Sequence, residues 1–306
     1  MPLSAIRIFS TNRLLALGAL ALTAALGVQA SGTSPLTHGA TMASGGGVVT
    51  PVAFRQDGSK LVKVQAVAEK THLVAGETNW LGLVFNISRD WHIYWRNPGG
   101  GMPTSWEVTK APDGIELGEA VWPTPERYET DFGLDFVHYG RAFVMVPVTV
   151  DAAMASKGEV TIEIEASWLV CKDICVPGSG KASITLPITS NPDDAEDTRT
   201  AKVFEKAREE SPKVVDDLAD AGVQAKVGDA ISITKPGADE LTFFPYENDE
   251  GVYPSEAKAD LHAKGDSLSI RYYDNDLKLI EEVRGLLVVN KGSESESFEI
   301  TIPLRR

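Results

Sequence analysis

Residues 161–186 read TIEIEASWLVCKDICVPGSGKASITL. On both sides of the two cysteines, apolar and polar residues alternate. The apolar positions before the cysteines are Ile162, Ile164, Ala166, Trp168 and Val170, and those after them are Ala182, Ile184 and Leu186. Such alternation is typical of antiparallel strands that bury one face and expose the other. The stretch therefore predicts two half-buried strands.

The spacing of Cys171 and Cys175 requires a sharp turn if they form a disulfide. On a straight strand their Cα atoms would be about 13 Å apart, whereas a disulfide needs about 4.4–6.8 Å. A hairpin with loop 172–174 places the cysteines face to face, and a slip of one residue would expose an apolar face. The pattern favours this hairpin over a helical turn, which would also bring residues i and i+4 together. Its register predicts these further pairs: Ile162 with Ile184, Ile164 with Ala182, Leu169 with Pro177 and Trp168 with Gly178.

The rest of the chain indicates two β-rich units of the sandwich or barrel kind. Alternating runs separated by Pro- and Gly-rich turns predict further strands. They lie at 62–66, 81–87, 144–150, 231–234, 241–244, 268–273, 286–289 and 298–302. Helical spacing at 200–221 predicts a helix between the two units.

Residues 1–30 have the organisation of a secretory signal peptide. Arg7 and Arg13 precede the apolar run 14–28, and Val28 and Ala30 suit cleavage. The run is shorter than the ~20 residues that a membrane-spanning helix needs. We therefore expect a cleaved leader and an exported mature protein that does not span a membrane. In an oxidising compartment its cysteine pair can persist as a disulfide.

Composition and charge limit the possible partners. The chain has 306 residues, 43% of them hydrophobic, which excludes wholesale disorder. Its 43 acidic and 29 basic residues give a net charge of −14, which argues against nucleic acid and anionic membranes as partners. The predicted organisation is a signal peptide at 1–30, a flexible leader at 31–50, a first sandwich at 51–190, a linker and helix at 191–222, and a second sandwich at 223–306.

The position of Cys171 in its strand bears on what the disulfide does. Cys171 belongs to the outward phase of the alternation, whereas a structural disulfide more often lies in the core phase and a redox-active one must be reached by a partner's thiolate. From spacing alone, an inert staple and an exchange site both stay open. Lys172 would favour a thiolate and Asp173 would oppose it. Between the two cysteines we expect Cys175 to be the attacker, because strand pairing should hold Cys171.

Three segments combine aromatic, proline and cysteine residues in unusual order. They are WLVCKDICVPG at 168–178, WHIYWRNPG at 91–99 followed by Met102-Pro103-Thr104, and WPTPERY at 122–128 with His138-Tyr139-Gly140 downstream. They resemble the periplasmic N-terminal region of the DsbD/ScsB thiol:disulfide interchange proteins. The resemblance is strong over residues 50–190 and looser over 200–306.

This resemblance implies an all-β protein of two immunoglobulin-like β-sandwich domains, with a short helix leading into the second. It implies a periplasmic protein-disulfide reductase type of activity, in which a reversible Cys171–Cys175 disulfide exchanges with thioredoxin-like or disulfide isomerase-type proteins and no cofactor is needed. In the family a membrane segment and a thioredoxin-like domain normally follow. The sequence contains neither, so the expected electron donor is a separate membrane protein. An aromatic cap shields the disulfide in the family, and Phe136 and Tyr139 are the candidates here.

Two other functions stay open. One is copper binding or copper tolerance, which is known among relatives and suits Cys, Met and His as soft and borderline ligands. The candidate ligands are Cys171, Cys175, Met102, His92 and His138, provided that loops bring them together. The other is a non-catalytic adhesion or scaffold sandwich with a structural disulfide.

Overall fold

The computed structural model describes residues 57–130, 133–248, 261–272 and 276–304. The signal peptide expected at 1–30 and the leader expected at 31–50 lie outside these residues. Among the helices in the described ranges, none has the length and apolar character needed to cross a membrane.

The first eleven strands form two sheets that face each other. In chain order they are β1 (Val62–Ala68), β2 (Leu73–Val74), β3 (Thr78–Ile87), β4 (His92–Gly99), β5 (Ser105–Lys110), β6 (Ile115–Leu117), β7 (Glu126–Thr130), β8 (Gly133–Tyr139), β9 (Arg141–Val150), β10 (Glu159–Cys171) and β11 (Cys175–Thr189). One sheet has the order β1-β3-β9-β6. The other has the order β2-β11-β10-β4-β8-β7, with β5 also paired to β10.

Strands β10 and β11 form the predicted hairpin in the predicted register. The observed pairs are Cys171 with Cys175, Leu169 with Pro177, Trp168 with Gly178, Ile164 with Ala182, and Ile162 with Ile184. The helical-turn alternative is therefore wrong. Gly178 is needed opposite the indole, because a Cβ there would lie 2.5 Å from Trp168 Nε1. That nitrogen donates to the carbonyl of Gly58 at 3.3 Å.

The core of this sandwich lies between its two sheets. Leu81, Leu83, Phe85 and Ile87 share one face of β3 and are buried, and the ring of Phe85 meets that of Trp168 edge-on at 6.1 Å. Burying an aromatic or aliphatic side chain of this size contributes about 1.5–3 kcal/mol. These contacts fix which face of β10 points inward, and hence that Cys171 points outward.

An α-helix, α1 (Ala201–Glu210), follows the first sandwich. Its buried Phe204 packs edge-on against Phe143 of β9 at 5.0 Å. The prediction that the helix continues to residue 221 is wrong. Pro212 disfavours helical geometry at the residue before it, and Ser211 is extended, with ψ 147°. Short 3-10 turns lie at Gly58–Lys60, Ala152–Ser156, Pro192–Asp194 and Asp276–Lys278.

The remaining strands form a second pair of sheets. They are β12 (Lys213–Val214), β13 (Gln224–Val227), β14 (Ile231–Thr234), β15 (Glu240–Pro245), β16 (His262–Lys264), β17 (Ser267–Ile270), β18 (Glu282–Lys291) and β19 (Glu294–Pro303). Their orders are β12-β19-β18-β15-β16 and β13-β14-β17. The prediction of an all-β protein with two sandwiches is confirmed.

The two sandwiches contact each other. Arg96, near the end of β4, lies 3.4 Å from the carboxylate of Glu299, and its guanidinium carbon is 4.7 Å from the ring centre of Tyr246. The boundaries at 51–190, 191–222 and 223–306 stay predictions, because contacts of this kind join the two halves.

Candidate functional site

The disulfide is the end of a row of side chains that crosses four strands. Cys175 of β11 faces Cys171 of β10, Cys171 faces His92 of β4, and His92 faces Tyr139 of β8. Directly opposed residues present their side chains on the same face of a sheet. The two cysteines are joined by a disulfide, with Cα atoms 4.1 Å apart. The row therefore places an imidazole next to the inner sulfur.

The two cysteines differ sharply in exposure. Cys171 is 2% exposed, although it lies on the outward face of β10. Cys175 is exposed, as are the three loop residues 172–174, and Ile174 is 53% exposed. A partner's thiol could reach Cys175 directly, but Cys171 only after its surroundings move.

Three tyrosines account for the burial of Cys171. Tyr94 lies in one apolar cluster with Cys171, and Tyr128 and Tyr139 pack against that cluster. We call these three side chains the tyrosine cover. Tyr94 Oη lies 3.6 Å from Cys171 Sγ. This contact places the hydroxyl of Tyr94 beside the sulfur.

Asp135 holds the Tyr94 hydroxyl in place. Tyr94 Oη donates to Asp135 Oδ2 at 3.3 Å, and the backbone N–H of Gly100 donates to Asp135 Oδ1 at 3.1 Å. Burial, together with the Asp135 charge, raises the pKa of Tyr94 to about 12. Tyr94 is therefore a protonated hydrogen-bond donor at neutral pH.

A glycine loop seals the cover from the other side. A Cβ at Gly101 would lie 2.0 Å from the Tyr94 ring, and one at Gly99 would lie 2.2 Å from the carbonyl oxygen of Leu134. Gly99 also has φ +76°, which side chains other than glycine rarely adopt. Residues 100 and 101 turn the chain after β4, and this close approach is the reason for the glycines.

Replacing Gly101 by alanine should uncover the buried cysteine. The added Cβ cannot coexist with the present position of the Tyr94 ring, so the ring must move away. In the reduced Gly101→Ala protein we expect alkylation of Cys171 to accelerate about tenfold, as a loss of about 1.4 kcal/mol of protection would give. Peptide mass spectrometry after timed iodoacetamide treatment measures this. Gly228→Ala is the matched control, because the nearest atom to its added Cβ is 3.9 Å away. An unchanged Cys171 rate in Gly101→Ala would contradict the role of the loop.

His92 and Tyr139 lie with the disulfide, but Phe136 and His138 do not. The His92 ring centre lies 5.3 Å from that of Tyr139. Burial lowers the pKa of His92, an effect that the Asp135 charge partly opposes. Phe136 instead packs edge-on against Phe244 at 5.0 Å in the main core. Positions 136 and 139 are an odd number apart on one strand and so face opposite sides; Phe136 belongs to the core and not to the cover.

His138 shares the core face of β8 with Phe136. Its ring stacks on Trp122 at 6.3 Å, and burial lowers its pKa to about 4. Met102 is 62% exposed. The copper ligand set is therefore not brought together: His138 faces away from His92, and the two sulfurs are bonded to each other. Over the described ranges, no three His, Cys, Asp or Glu side chains are grouped as a metal site requires.

The charge at the hairpin loop is partly offset by a group that the sequence did not suggest. Lys172 Nζ lies 3.5 Å from Asp90 Oδ2. Asp90 has φ 64° and is the one residue other than glycine with positive φ among those described. The loop therefore carries paired charges beside Cys175.

A sequence model of the family "Thiol:disulfide interchange protein DsbD, N-terminal" matches residues 59–187. Residues 59–187 therefore form a DsbD N-terminal-like domain. The match covers both sheets of the first sandwich, the tyrosine cover and both cysteines. The resemblance seen in the sequence is confirmed for this domain, and so is its immunoglobulin-like sandwich fold.

Several solved structures are similar to the chain at low identity. The N-terminal periplasmic domain of ScsB from Proteus mirabilis is 15% identical, with a TM-score of 0.47, and the alignment covers 79% of this chain and 92% of that one. The E. coli chaperone DraB is 12% identical, with a TM-score of 0.21 and coverage of 78% and 98%. BcpA, the major pilin subunit of Bacillus cereus, is 8% identical, with a TM-score of 0.26 and coverage of 78% and 65%. A search of curated proteins returned no match.

Sequence reasoning missed Tyr94, Tyr128 and Asp135 as parts of the site. Tyr94 is two residues from His92 on β4 and so shares its face. That spacing was visible, but nothing local showed that β4 pairs with β10. Without this pairing, a covered Cys171 could not be distinguished from one facing solvent.

Proposed function

We propose that this protein is a periplasmic thiol:disulfide exchange protein of the protein-disulfide reductase type, which carries electrons through a reversible Cys171–Cys175 disulfide. The proposal rests on the difference in solvent exposure between the two cysteines. Cys175 is exposed at a hairpin tip, while Cys171 is 2% exposed beneath the tyrosine cover. A purely structural disulfide would need no such difference. In exchange, by contrast, one cysteine reacts with the partner and the other later resolves the mixed disulfide.

Reduction begins when a donor thiolate attacks Cys175 Sγ. The Cys171–Cys175 bond breaks, its electron pair stays on Cys171, and a mixed disulfide joins the donor to Cys175. The donor's second thiolate then attacks the donor sulfur of the mixed disulfide. This closes a disulfide within the donor and releases Cys175 as a thiolate. Both cysteines end as thiols after taking up two protons, and the donor ends as a disulfide.

The reduced cysteine pair then reduces a substrate disulfide by the same two exchange steps in reverse. The Cys175 thiolate attacks one sulfur of a substrate disulfide, and the second substrate sulfur leaves as a thiolate. Cys171, as a thiolate, then attacks Cys175 Sγ, which re-forms the internal disulfide and releases the substrate as a dithiol. No metal or organic cofactor takes part in these steps.

The partners that suit this chemistry are thioredoxin-like or disulfide isomerase-type proteins, with a separate membrane protein as the electron donor. The family match supports a thioredoxin-like partner, because DsbD-type domains exchange with thioredoxin-like partners in general. The leader sequence at 1–30 supports export to the periplasm. Tyr139, as part of the tyrosine cover, is the cap residue of this proposal.

Trapping with single cysteine variants tests the proposal. Cys171→Ser retains the exposed Cys175 but cannot resolve a mixed disulfide, so we expect it to accumulate a covalent complex with a thioredoxin-like partner. Cys175→Ser should trap at least about tenfold less, because its remaining thiol is covered and slow to react. Non-reducing electrophoresis and mass spectrometry measure both yields.

The double variant Cys171→Ser/Cys175→Ser is the control and should give no complex. Equal trapping by both single variants would contradict the asymmetry. A reduction potential of the wild-type disulfide below about −300 mV would indicate a structural staple instead.

A further inference from the structure

The exchange cycle contains a proton transfer that needs a base. If the protein works as proposed above, Cys171 must lose its thiol proton before it can attack Cys175 in the mixed disulfide. Only the thiolate is nucleophilic, and apolar surroundings disfavour it. Since Cys171 is 2% exposed, bulk water has little access to its proton. The base should therefore be one of the side chains around the sulfur.

The tyrosine cover does not supply this base. Tyr94 Oη is the hydroxyl beside Cys171 Sγ, at 3.6 Å, but burial and Asp135 raise its pKa to about 12. Burial also raises the pKa of Tyr139, with smaller contributions from the charges of Tyr128 and Glu126. Groups that remain protonated at neutral pH can donate a hydrogen bond to a thiolate but cannot take its proton.

Asp135 is already engaged by two donors. It accepts from Tyr94 Oη at 3.3 Å and from the N–H of Gly100 at 3.1 Å. The Tyr94 hydroxyl lies between Cys171 and Asp135, because it contacts both the Cys171 sulfur and the Asp135 carboxylate. Lys172, the cation next to Cys171 in the chain, is paired with Asp90 at 3.5 Å. Neither group offers an unoccupied base at the sulfur.

His92 lies next to Cys171 and has a ring nitrogen without a hydrogen-bond partner among the described residues. It is the direct cross-strand neighbour of Cys171, and side chains so placed have Cβ atoms about 4.5–5.5 Å apart. His92 is 2% exposed, and its Nε2 is buried without a hydrogen-bond partner among the described residues. Such an orphaned buried nitrogen is costly unless it serves a purpose.

The surroundings of His92 favour its neutral form at neutral pH, and they can also stabilise its protonated form. The ring centres of Tyr94 and Tyr128 lie 5.7 and 4.7 Å from that of His92. Burial lowers the pKa of His92, so a lone pair is available at neutral pH. The nearby Asp135 charge acts in the opposite direction and would stabilise an imidazolium once a proton arrives.

We propose that His92 takes the proton of Cys171 when the disulfide closes and returns it when the disulfide opens. In the closing step the S–H bond of Cys171 breaks and an N–H bond forms on His92. The Cys171 electron pair then forms the bond to Cys175 Sγ, and the pair of the broken bond leaves on the partner's sulfur. The imidazolium passes its proton to that thiolate or to water.

The test is a stopped-flow reaction of the reduced protein with 5,5′-dithiobis(2-nitrobenzoic acid). Attack by Cys175 releases a first thionitrobenzoate and leaves a mixed disulfide, and attack by Cys171 releases a second. For His92→Gln at pH 7 we expect the second phase to slow at least about tenfold, the lower end of what a positioned base contributes. The first phase should change less than about twofold, because it does not use the base.

The pH profile separates a base from a merely structural residue. In the wild type the second-phase rate should rise with pH and become flat near neutrality, where His92 is already neutral. In His92→Gln it should keep rising into the alkaline range, because the thiol then ionises without help. His262→Gln, the same change on β16 of the second sandwich, should match the wild type in both phases.

Three outcomes would overturn the assignment. These are an unchanged second phase in His92→Gln, equal slowing of both phases, and a wild-type second phase that rises through pH 8 without a plateau. The last needs no variant, so the inference stays testable if His92→Gln and His92→Asn both fail to fold. A wild-type protein that shows no second phase would instead contradict the proposed function itself.

Discussion

Alkylation of the fully reduced protein should modify Cys175 about 100-fold faster than Cys171 at neutral pH, as about 3 kcal/mol of local protection would give. The physical reason is access. Cys175 is exposed, whereas Cys171 is 2% exposed, with Tyr94 Oη 3.6 Å from its sulfur. Reagent can reach Cys171 only in the fraction of molecules whose cover has opened. Timed treatment with N-ethylmaleimide, followed by peptide mass spectrometry, measures both rates.

The same protein in urea provides the control for this experiment. Once the strands have separated, both thiols are exposed and should react at similar rates. Similar rates in the folded protein would show that the tyrosine cover leaves Cys171 after reduction, and the exchange mechanism would then have two equivalent thiols. The proposed assignment of Cys175 as the attacking residue depends on the difference.

Acidification from pH 7 to pH 4 should cost the folded protein about 3 kcal/mol through His138 alone. Burial beside Trp122 lowers the pKa of His138 from 6.5 to about 4. Between these values the unfolded state binds a proton that the folded state does not, so the free energy of unfolding falls as the pH falls. The loss begins near pH 6.5 and levels off only below pH 4.

His138→Phe isolates this contribution. Phenylalanine can stack on Trp122 but does not titrate, so the variant should lose about 3 kcal/mol less than the wild type between pH 7 and pH 4. Urea unfolding at a series of pH values measures the difference, and other titrating groups, His92 included, cancel between the two proteins. Parallel pH profiles for wild type and His138→Phe would show that folding does not lower the pKa of His138.

The hairpin and the fold class could be predicted because their signals are local. Strand alternation has a period of two, so the positions of Ile162, Ile164 and Trp168 fixed both the buried face and the register opposite 178–184. The end of α1 could also have been predicted, since Pro212 lies two residues after its last residue, Glu210. The odd spacing of Phe136 and Tyr139 was likewise available, and it shows that both could not face the disulfide.

The burial of Cys171 could not be predicted in this way. Alternation placed it on the outward face of β10, which is correct, and outward residues of a sheet ordinarily meet solvent. It is covered because Tyr94, Tyr128 and Tyr139 come from strands more than thirty residues away in the chain. The alternation within one strand does not specify which distant strand pairs with it.

By itself, then, the sequence determined that the protein is built of strands, which sides of them are apolar, and that its two cysteines meet across a turn. All three follow from residues close together in the chain, where backbone geometry leaves few choices. Only the tertiary structure decided that one sulfur is sealed and the other open, and that an imidazole lies beside the sealed one with no hydrogen-bond partner for its Nε2 among the described residues. Those features arise from the order of β11, β10, β4 and β8 in one sheet, an order set by how the whole chain buries its apolar surface.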